Sequence, residues 1–392
     1  MGLRRAVLAR NGLCVQVGDR YAVMPEEAMK VLFLTRYSQR GGSSRYMVHQ
    51  YLPAYAQAGM TCTVAPLFDD RYFDFGVLDR PTGIGEIARH SLYYARRVLL
   101  RLRALIDSHR YDLVVLEKEL FPYVPYGFEE WLRRRGAKLV VLFDDATYAY
   151  YRQHPFPLVR LLCRGKIERI VRGATHVIVW NDHLAGYMRR LNPRVSVVNS
   201  GVDITRYPPK DYRAPRTTDR LVIGWIGTPN GFPYLRSLET VFAELAQQYP
   251  IELHVISSMA YSSAHVQVVN RTWSMQTEVQ HLHDLDIGVM PLPNDEWTQG
   301  KSGVKAVQYL AVGVPAVCSP VGVARRLITH NVNGMLADHP TAWRCALTRL
   351  LDDPDLRERM GMAGRATVIQ SYSTQSVAPR LVDILLQAGR SA

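Results

Sequence analysis

The sequence predicts an α/β protein of two domains, each built on a doubly wound sheet of parallel strands. Three observations lead there. A chain of 392 residues is longer than one hydrophobic core commonly serves. Short apolar runs alternate with longer segments of helical period in two successive series, the pattern of βαβ units. A polar stretch, 199–219, holds Pro208, Pro209 and Pro215, lacks periodicity and separates the two series.

In the first series the strands fall near 31–35, 61–66, 113–116, 139–143 and 176–180. Helices are expected at 45–58, 84–108, 127–135, 158–172 and 182–191. The second series has strands near 221–225, 252–256, 287–290 and 316–318, with helices at 233–248, 276–282, 304–312, 323–329 and 342–351. Two last helices, 354–369 and 376–388, have no strand to alternate with, and Pro379 suits the second only in a first turn. No repeat of roughly 20–50 residues is visible.

Composition narrows the class. Hydrophobic content of 47% with 21% charged residues describes an ordinary globular chain. No apolar run reaches the roughly 18–20 residues that cross a bilayer. Residues 1–29 begin basic but lack the apolar core of a signal peptide, and they read as an appendage or the product of an upstream start. The five cysteines are scattered, with Cys62 and Cys318 in strand-like runs, as expected of small hydrophobes in a reducing cytoplasm. Residues 1–210 carry 32 Lys and Arg against 19 Asp and Glu, and the remainder is balanced, so the whole net charge of +13 belongs to the first half. Such a half points to an anionic surface or is a plainly solvated basic face. With no nucleic-acid-binding motif beside the charge, a nucleic-acid partner is not expected.

The most informative stretch is 286–322, DIGVMPLPNDEWTQGKSGVKAVQYLAVGVPAVCSPVG. It reads strand, polar loop, amphipathic helix, short strand and turn. Lys301 and Lys305 stand where the loop meets the helix, and a helix start with two added cations suits an anion. Ser302 is a plausible N-cap. Val304, Val307, Leu310 and Ala311 form an apolar stripe, leaving Lys305 and Gln308 to share a polar edge. Gly300-Lys301-Ser302 is not a P-loop, because Asp295 stands where the first glycine is needed.

This segment resembles the donor site of the family 4 retaining glycosyltransferases, and most of all a subgroup reading G-K-x-G-x-K-x-x-Q-Y-x-A-x-G-x-P-x-x-x-S-P-V-G. The resemblance runs from Met29 onward and is most specific between His283 and Gly334. It implies the GT-B fold: two Rossmann-like domains facing across a cleft, with a C-terminal helix crossing back. The implied division is an extension over 1–29, an acceptor-side domain over 30–199, a linker over 200–219, a nucleotide-sugar donor domain over 220–372, and a helix over 373–392 packing toward the first domain. The implied activity is a metal-independent, hexosyltransferase-like enzyme without cofactor. It would move a sugar from a nucleotide-diphosphate sugar to a hydroxyl of a glycan or lipid-linked acceptor, with retention, in cell-surface polysaccharide or glycolipid synthesis.

In that frame Lys301 and Lys305 contact the diphosphate and Gln308 reaches the ribose. Gly227 and Thr228, after the first strand of the second series, and Ser319 and Gly322, after its last, complete the donor side. Gly41 and Gly42 open a helix after the first strand and face the diphosphate from the other domain. Glu117, Lys118 and Glu119 follow the third strand, Asp144 and Asp145 the fourth, with Tyr148 among nearby aromatics. These are acceptor-side candidates, and Asp144 and Asp145 join the lysines as catalytic candidates. The same carboxylates could instead cap helices or pair with cations. The chain departs from the wider family in having Gly300 and Gln308 where two glutamates are usual. That leaves open a catalytically silent scaffold, or a nucleotide-sugar epimerase. His281, His283, Asp284 and Asp286 straddle a helix end and a strand start, so no metal site is expected. Helix 84–108 and segment 157–172 mix arginines with leucines as membrane-surface helices do, suggesting a cytoplasmic protein peripheral to the inner membrane face.

Overall fold

A computed structural model describes residues 28–74, 83–215 and 218–391, together with the backbone of three short strands ahead of them. Those strands, β1 (Val7–Ala9), β2 (Gly12–Val17) and β3 (Arg20–Val23), form a small antiparallel sheet within the segment expected as an appendage. The rest of 1–27 lies outside the described residues.

The first parallel sheet comprises β4 (Met29–Leu34), β5 (Met60–Val64), β6 (Leu113–Glu117), β7 (Leu139–Phe143), β8 (His176–Val179) and β9 (Val195–Val197), in the order β5-β4-β6-β7-β8-β9. The second comprises β10 (Leu221–Ile226), β11 (Ile251–Ser257), β12 (Gln267–Thr272), β13 (Ile287–Met290), β14 (Ala316–Cys318) and β15 (Met335–Leu336), in the order β12-β11-β10-β13-β14-β15. β6 and β7 are buried along their whole length, which is why they read as unbroken apolar runs rather than alternating ones. In both sheets the strand order reverses beside the first strand, between β4 and β6 and between β10 and β13. The loops leaving those strands therefore diverge and open a crevice at the carboxyl end. The sequence reading lacked β9, β12 and β15. All three are edge strands, short or half-exposed, without a continuous apolar signal.

Each face of the first sheet has its own core. Leu32, Leu34, Val114 and Leu116 point one way, while Val31, Phe33 and Val115 point the other. That second face is covered by the last helix, Thr374–Arg390, through Val377, Leu381, Ile384 and Leu385. The crossing is pinned by a bridge between Val202 and Ser373 and by Lys138, which donates to the Gly389 carbonyl at 2.9 Å. Ser373 caps this helix, so it starts two residues earlier than expected. Pro379 consequently falls in its second turn rather than its first, removing one backbone bond that the buried face outweighs. The stretch expected as a linker is also packed: Val202 and Tyr207 are fully buried.

Two helices differ from expectation in a way that bears on the surface. In Ile84–Ile106, Arg101 turns inward to the Thr35 carbonyl, and Arg97 bonds the Leu67 carbonyl at 2.8 Å. Leu92, Leu99 and Ile106 are left in solvent. The expected helix 158–172 is two, Pro157–Cys163 and Lys166–Gly173, broken where Gly165 adopts φ 71°. The break swings Lys166 into the core and leaves Phe156, Leu158, Leu161 and Leu162 exposed.

The Val304–Ala311 helix, which carries Lys305 and Gln308, is backed by the Pro354–Ser371 helix. A Cβ at Gly361 would lie 1.8 Å from the Gly313 carbonyl oxygen, and one at Gly364 would lie 2.5 Å from Leu310. Gly361→Ala is therefore expected to lower unfolding stability by about 1–3 kcal/mol, read as a lower urea midpoint at unchanged m-value.

Candidate functional site

The carboxyl ends of the two sheets face one another across a cleft of about 940 Å³. From the second domain come Gly227 and Thr228 after β10, the loop after β13 with Trp297 and Lys301, and the helix start with Lys305 and Gln308. The first domain supplies Gly42, Arg45, Asp144 and Asp145.

A row of four charges runs from Lys118, behind the cleft, through Asp144 and Asp145 to Lys301. Lys118, at the end of β6, adopts φ 60°, a left-handed conformation uncommon outside glycine. Its ammonium lies 2.7 Å from Asp144 and 3.5 Å from Asp145. Asp145 also meets the Lys301 ammonium at 3.2 Å, and Lys301 lies 4.3 Å above the Trp297 ring. Burial pushes the Asp144 carboxyl up to about 6 against the pull of Lys118. Burial acts on Asp145 in the same sense, but Lys301 and Lys118 together hold it below the ordinary carboxylate range. Lys118, although buried, is held above its usual value by the two aspartates.

Lys305 is different. Its ammonium sits 4.1 Å over the Trp225 ring and under Gly227, where any Cβ would lie 2.3 Å from the nitrogen. Among the described residues no carboxylate pairs with it, and burial, with Lys301 nearby, pulls it down to about 7. A cation held without a counter-ion beside glycine backbone is what an incoming anion would complete.

The remaining candidates divide. Gly42 borders the cleft with open space where a side chain would be, whereas Gly41 is a glycine because Tyr37 packs on it. Glu117 is buried and anchors that loop, accepting from the Arg36 backbone and the Ser43 hydroxyl, each at 2.8 Å. Glu119 is buried against Lys166 at 2.7 Å and Tyr151 at 2.8 Å, while Tyr148 stacks on Tyr187 at 3.8 Å. None of Glu117, Lys118, Glu119 and Tyr148 lines the cleft, and Lys118 reaches it only through the aspartates. Ser319 and Gly322 also stand back from it. The Ser319 hydroxyl accepts from the Leu292 backbone at 2.9 Å, and Gly322, at φ 57°, lets the 299–301 backbone pass within contact. Ser302 is not the N-cap. Gly303 is, at φ 70°.

Comparison with known proteins agrees with this architecture. Residues 253–367 match the family model described as glycosyl transferases group 1. Sucrose-phosphate synthase from Thermosynechococcus elongatus superposes with a TM-score of 0.64 at 16% identity, covering 92% of this chain and 98% of that one. WaaG, a glycosyltransferase involved in lipopolysaccharide biosynthesis, gives 0.61 at 14% identity, over 91% of this chain and 99% of that one. HepE from Anabaena, solved with UDP and glucose, also gives 0.61 at 14%, over 92% of this chain and 100% of that one. The chain has the GT-B fold. Among curated relatives, the D-inositol 3-phosphate glycosyltransferases of Thermobispora bispora and Corynebacterium urealyticum are 26% and 25% identical, over 44% and 59% of this chain. The matches span 36% and 60% of those proteins' own lengths.

The GT-B cleft also uses residues that the sequence did not signal. Asn181 caps the Asp182–Met188 helix and donates to the backbone carbonyls of Gln299 and Lys301, both at 3.2 Å, tying the Lys301 loop to the first sheet. Arg45 is buried between the Tyr46 and Trp273 rings, 3.8 Å from Glu278. Glu278 in turn accepts from Tyr207 and Trp273 at 2.8 Å each, and the Gln308 amide donates to Tyr207 at 3.2 Å. No spacing in the sequence joins these positions, which meet only across the two domains. His283, Asp284 and Asp286 bond to Pro208, Arg271 and Val222 respectively and do not converge. Among the described residues no three His, Cys, Asp or Glu side chains do.

Two outcomes are expected. A diphosphate beside Lys305 raises its pKa, so binding takes up a proton wherever the free lysine is neutral. Affinity for a nucleoside diphosphate should therefore weaken from about pH 7 to about pH 9, with net proton uptake at the upper end by calorimetry in two buffers, and Lys305→Arg should remove both effects. Lys166→Met strands the buried Glu119 carboxylate and is expected to lower stability by about 3–5 kcal/mol in urea unfolding, leaving nucleotide affinity unchanged.

Proposed function

We propose that this chain is a retaining glycosyltransferase that moves a sugar from a nucleotide-diphosphate sugar to a hydroxyl of a glycan or lipid-linked acceptor. Its setting would be the synthesis of a cell-surface polysaccharide or glycolipid. The observation that carries the reading is the unpaired Lys305 beside Gly227, with Lys301 next to it and the Asp144–Asp145 pair opposite, in a cleft that both domains close. The names of the curated relatives and the UDP in HepE support the reaction class and the donor type.

The reaction needs charge stabilisation where the leaving diphosphate gains negative charge, and the two lysines supply it without metal or cofactor. The bond from the anomeric carbon to the diphosphate oxygen breaks while a bond to the acceptor oxygen forms on the same face. The acceptor proton passes to the departing diphosphate. Lys301, shared between Asp145 and the incoming phosphate, would release part of its hold on Asp145 when donor binds. The Asp144–Asp145 pair would then be a better acceptor of hydrogen bonds from the sugar-accepting hydroxyl.

The place of work in this reading is the cytoplasmic membrane face. No helix among the described residues is long and apolar enough to cross a bilayer, but Leu92 and Leu99 on one helix and Phe156, Leu158 and Leu161 on another face solvent. No acidic residue occurs from 87 to 106 or from 146 to 167, so both apolar surfaces lie in basic segments, a combination suited to anionic lipid.

A second reading, a GT-B scaffold that binds nucleotide without turnover, is favoured by Gly300 and Gln308 standing where glutamates are usual. A nucleotide-sugar panel separates the two. One donor should raise the melting temperature and be slowly hydrolysed to free sugar and nucleoside diphosphate, with Lys301→Ala and Lys305→Ala each lowering the rate about 100-fold or more. Binding without release in the presence of acceptors would favour the scaffold, and no binding of any nucleotide would overturn both.

A further inference from the structure

On the first domain, outside the donor cleft, a hollow of about 640 Å³ is lined by Arg133, Arg134, Arg169, Arg172 and Arg194 against a single carboxylate, Glu130. None of its residues lines the cleft. Glu130 is taken: it accepts from Arg133 at 2.6 Å and from Arg134 at 2.9 Å, and these contacts hold it near 2, far below its ordinary value. The other three guanidiniums have no carboxylate within ion-pair distance among the described residues. Arg169 is instead laid over the Tyr126 ring at 5.9 Å, which fixes its plane. A small residue also borders the hollow. Gly173 ends the Lys166–Gly173 helix, and a Cβ there would already lie 3.2 Å from the Arg133 side chain.

The five arginines are exposed, so solvent screens their mutual repulsion, but their positive potentials add in one hollow, and an anion placed there meets several cations at once. Arginine forks match the oxygens of phosphate in pairs, and the surplus of charge calls for a group carrying two or more negative charges. The hollow is larger than a lone carboxylate needs and open enough to take a head group from solvent or from a surface.

We propose that this arginine hollow is a binding site for a phosphate-bearing ligand, separate from the donor cleft. The chemistry is that of a phosphate dianion or a diphosphate, whether carried on a free metabolite or on a lipid head group. The inference stands independently of the reaction assigned to the cleft.

Its test uses the full chain carrying Lys301→Ala and Lys305→Ala, so that the cleft does not compete, with and without Arg172→Ala/Arg194→Ala. Both of these arginines are exposed, and their loss leaves the core untouched. One arm titrates inorganic pyrophosphate by calorimetry. The other measures co-flotation with phosphatidylcholine vesicles containing phosphatidylglycerol, with vesicles of phosphatidylcholine alone as reference. The arginine substitutions are expected to weaken binding about tenfold or more in at least one arm. Loss confined to pyrophosphate identifies a soluble ligand, and loss confined to the anionic vesicles identifies a head group. Equal binding by both proteins in both arms, or no binding in either, would overturn the site. Because the donor panel is run on the unsubstituted chain, failure here leaves the cleft assignment standing, and failure there leaves this one.

Discussion

Lys118, Asp144, Asp145 and Lys301 alternate in sign from the end of one sheet to a loop of the other, and the geometry of the cleft hangs on that row. Each member neutralises its neighbour, which lets Lys118 and Asp144 be buried where either alone would be strongly unfavourable. The row also includes a backbone oddity. Lys118 holds a left-handed conformation at the end of β6, with its ammonium between both aspartates. Three elements meet there: the β6 end, the β7 end and the loop after β13. Loosening one charge would release the loop that presents Lys301.

The close approach behind that row is a matter of missing atoms. A Cβ at Gly300 would lie 2.6 Å from the Ala146 backbone nitrogen, immediately after the two aspartates. Asn181 adds two hydrogen bonds to the same loop. The two domains therefore touch, backbone to backbone, at Gly300 and Ala146. Gly300 is the condition for this contact, since any side chain there would press into Ala146. The compensating negative charge in the cleft comes from the facing domain, through Asp144 and Asp145.

The architecture was largely legible in the sequence because buried parallel strands announce themselves. Runs such as Leu139–Phe143 and Ile287–Met290 appear in the structure with the bounds read from the sequence. Edge strands such as Gln267–Thr272, half-exposed and mixed in character, carry no comparable signal. Of the site, Lys301, Lys305 and Gln308 in the motif line the cleft, as do Gly42, Asp144, Asp145, Gly227 and Thr228 outside it, while Ser319 and Gly322 of the same motif do not. What failed was assigning direction to isolated polar residues. Glu117, Glu119 and Tyr148 sit near strand ends, as active residues often do, yet their side chains turn to Ser43, Lys166 and Tyr187 and hold the scaffold. Arg45, Asn181 and Glu278 were unreadable for the opposite reason, since each takes its role from a partner more than a hundred residues away.

The crossing helix has a consequence for how the molecule is made. Part of one face of the first sheet, beside the Leu52–Gln57 helix, stays uncovered until Thr374–Arg390 is made, long after the strands themselves. At about 5–20 residues per second, roughly 10 to 35 seconds separate the end of β9 from the start of that helix, and Val31, Phe33 and Val115 wait longer still for it. The first domain synthesised is thus the last to be finished. During that interval the nascent chain exposes part of an apolar sheet face to the cell, the kind of surface that invites premature association.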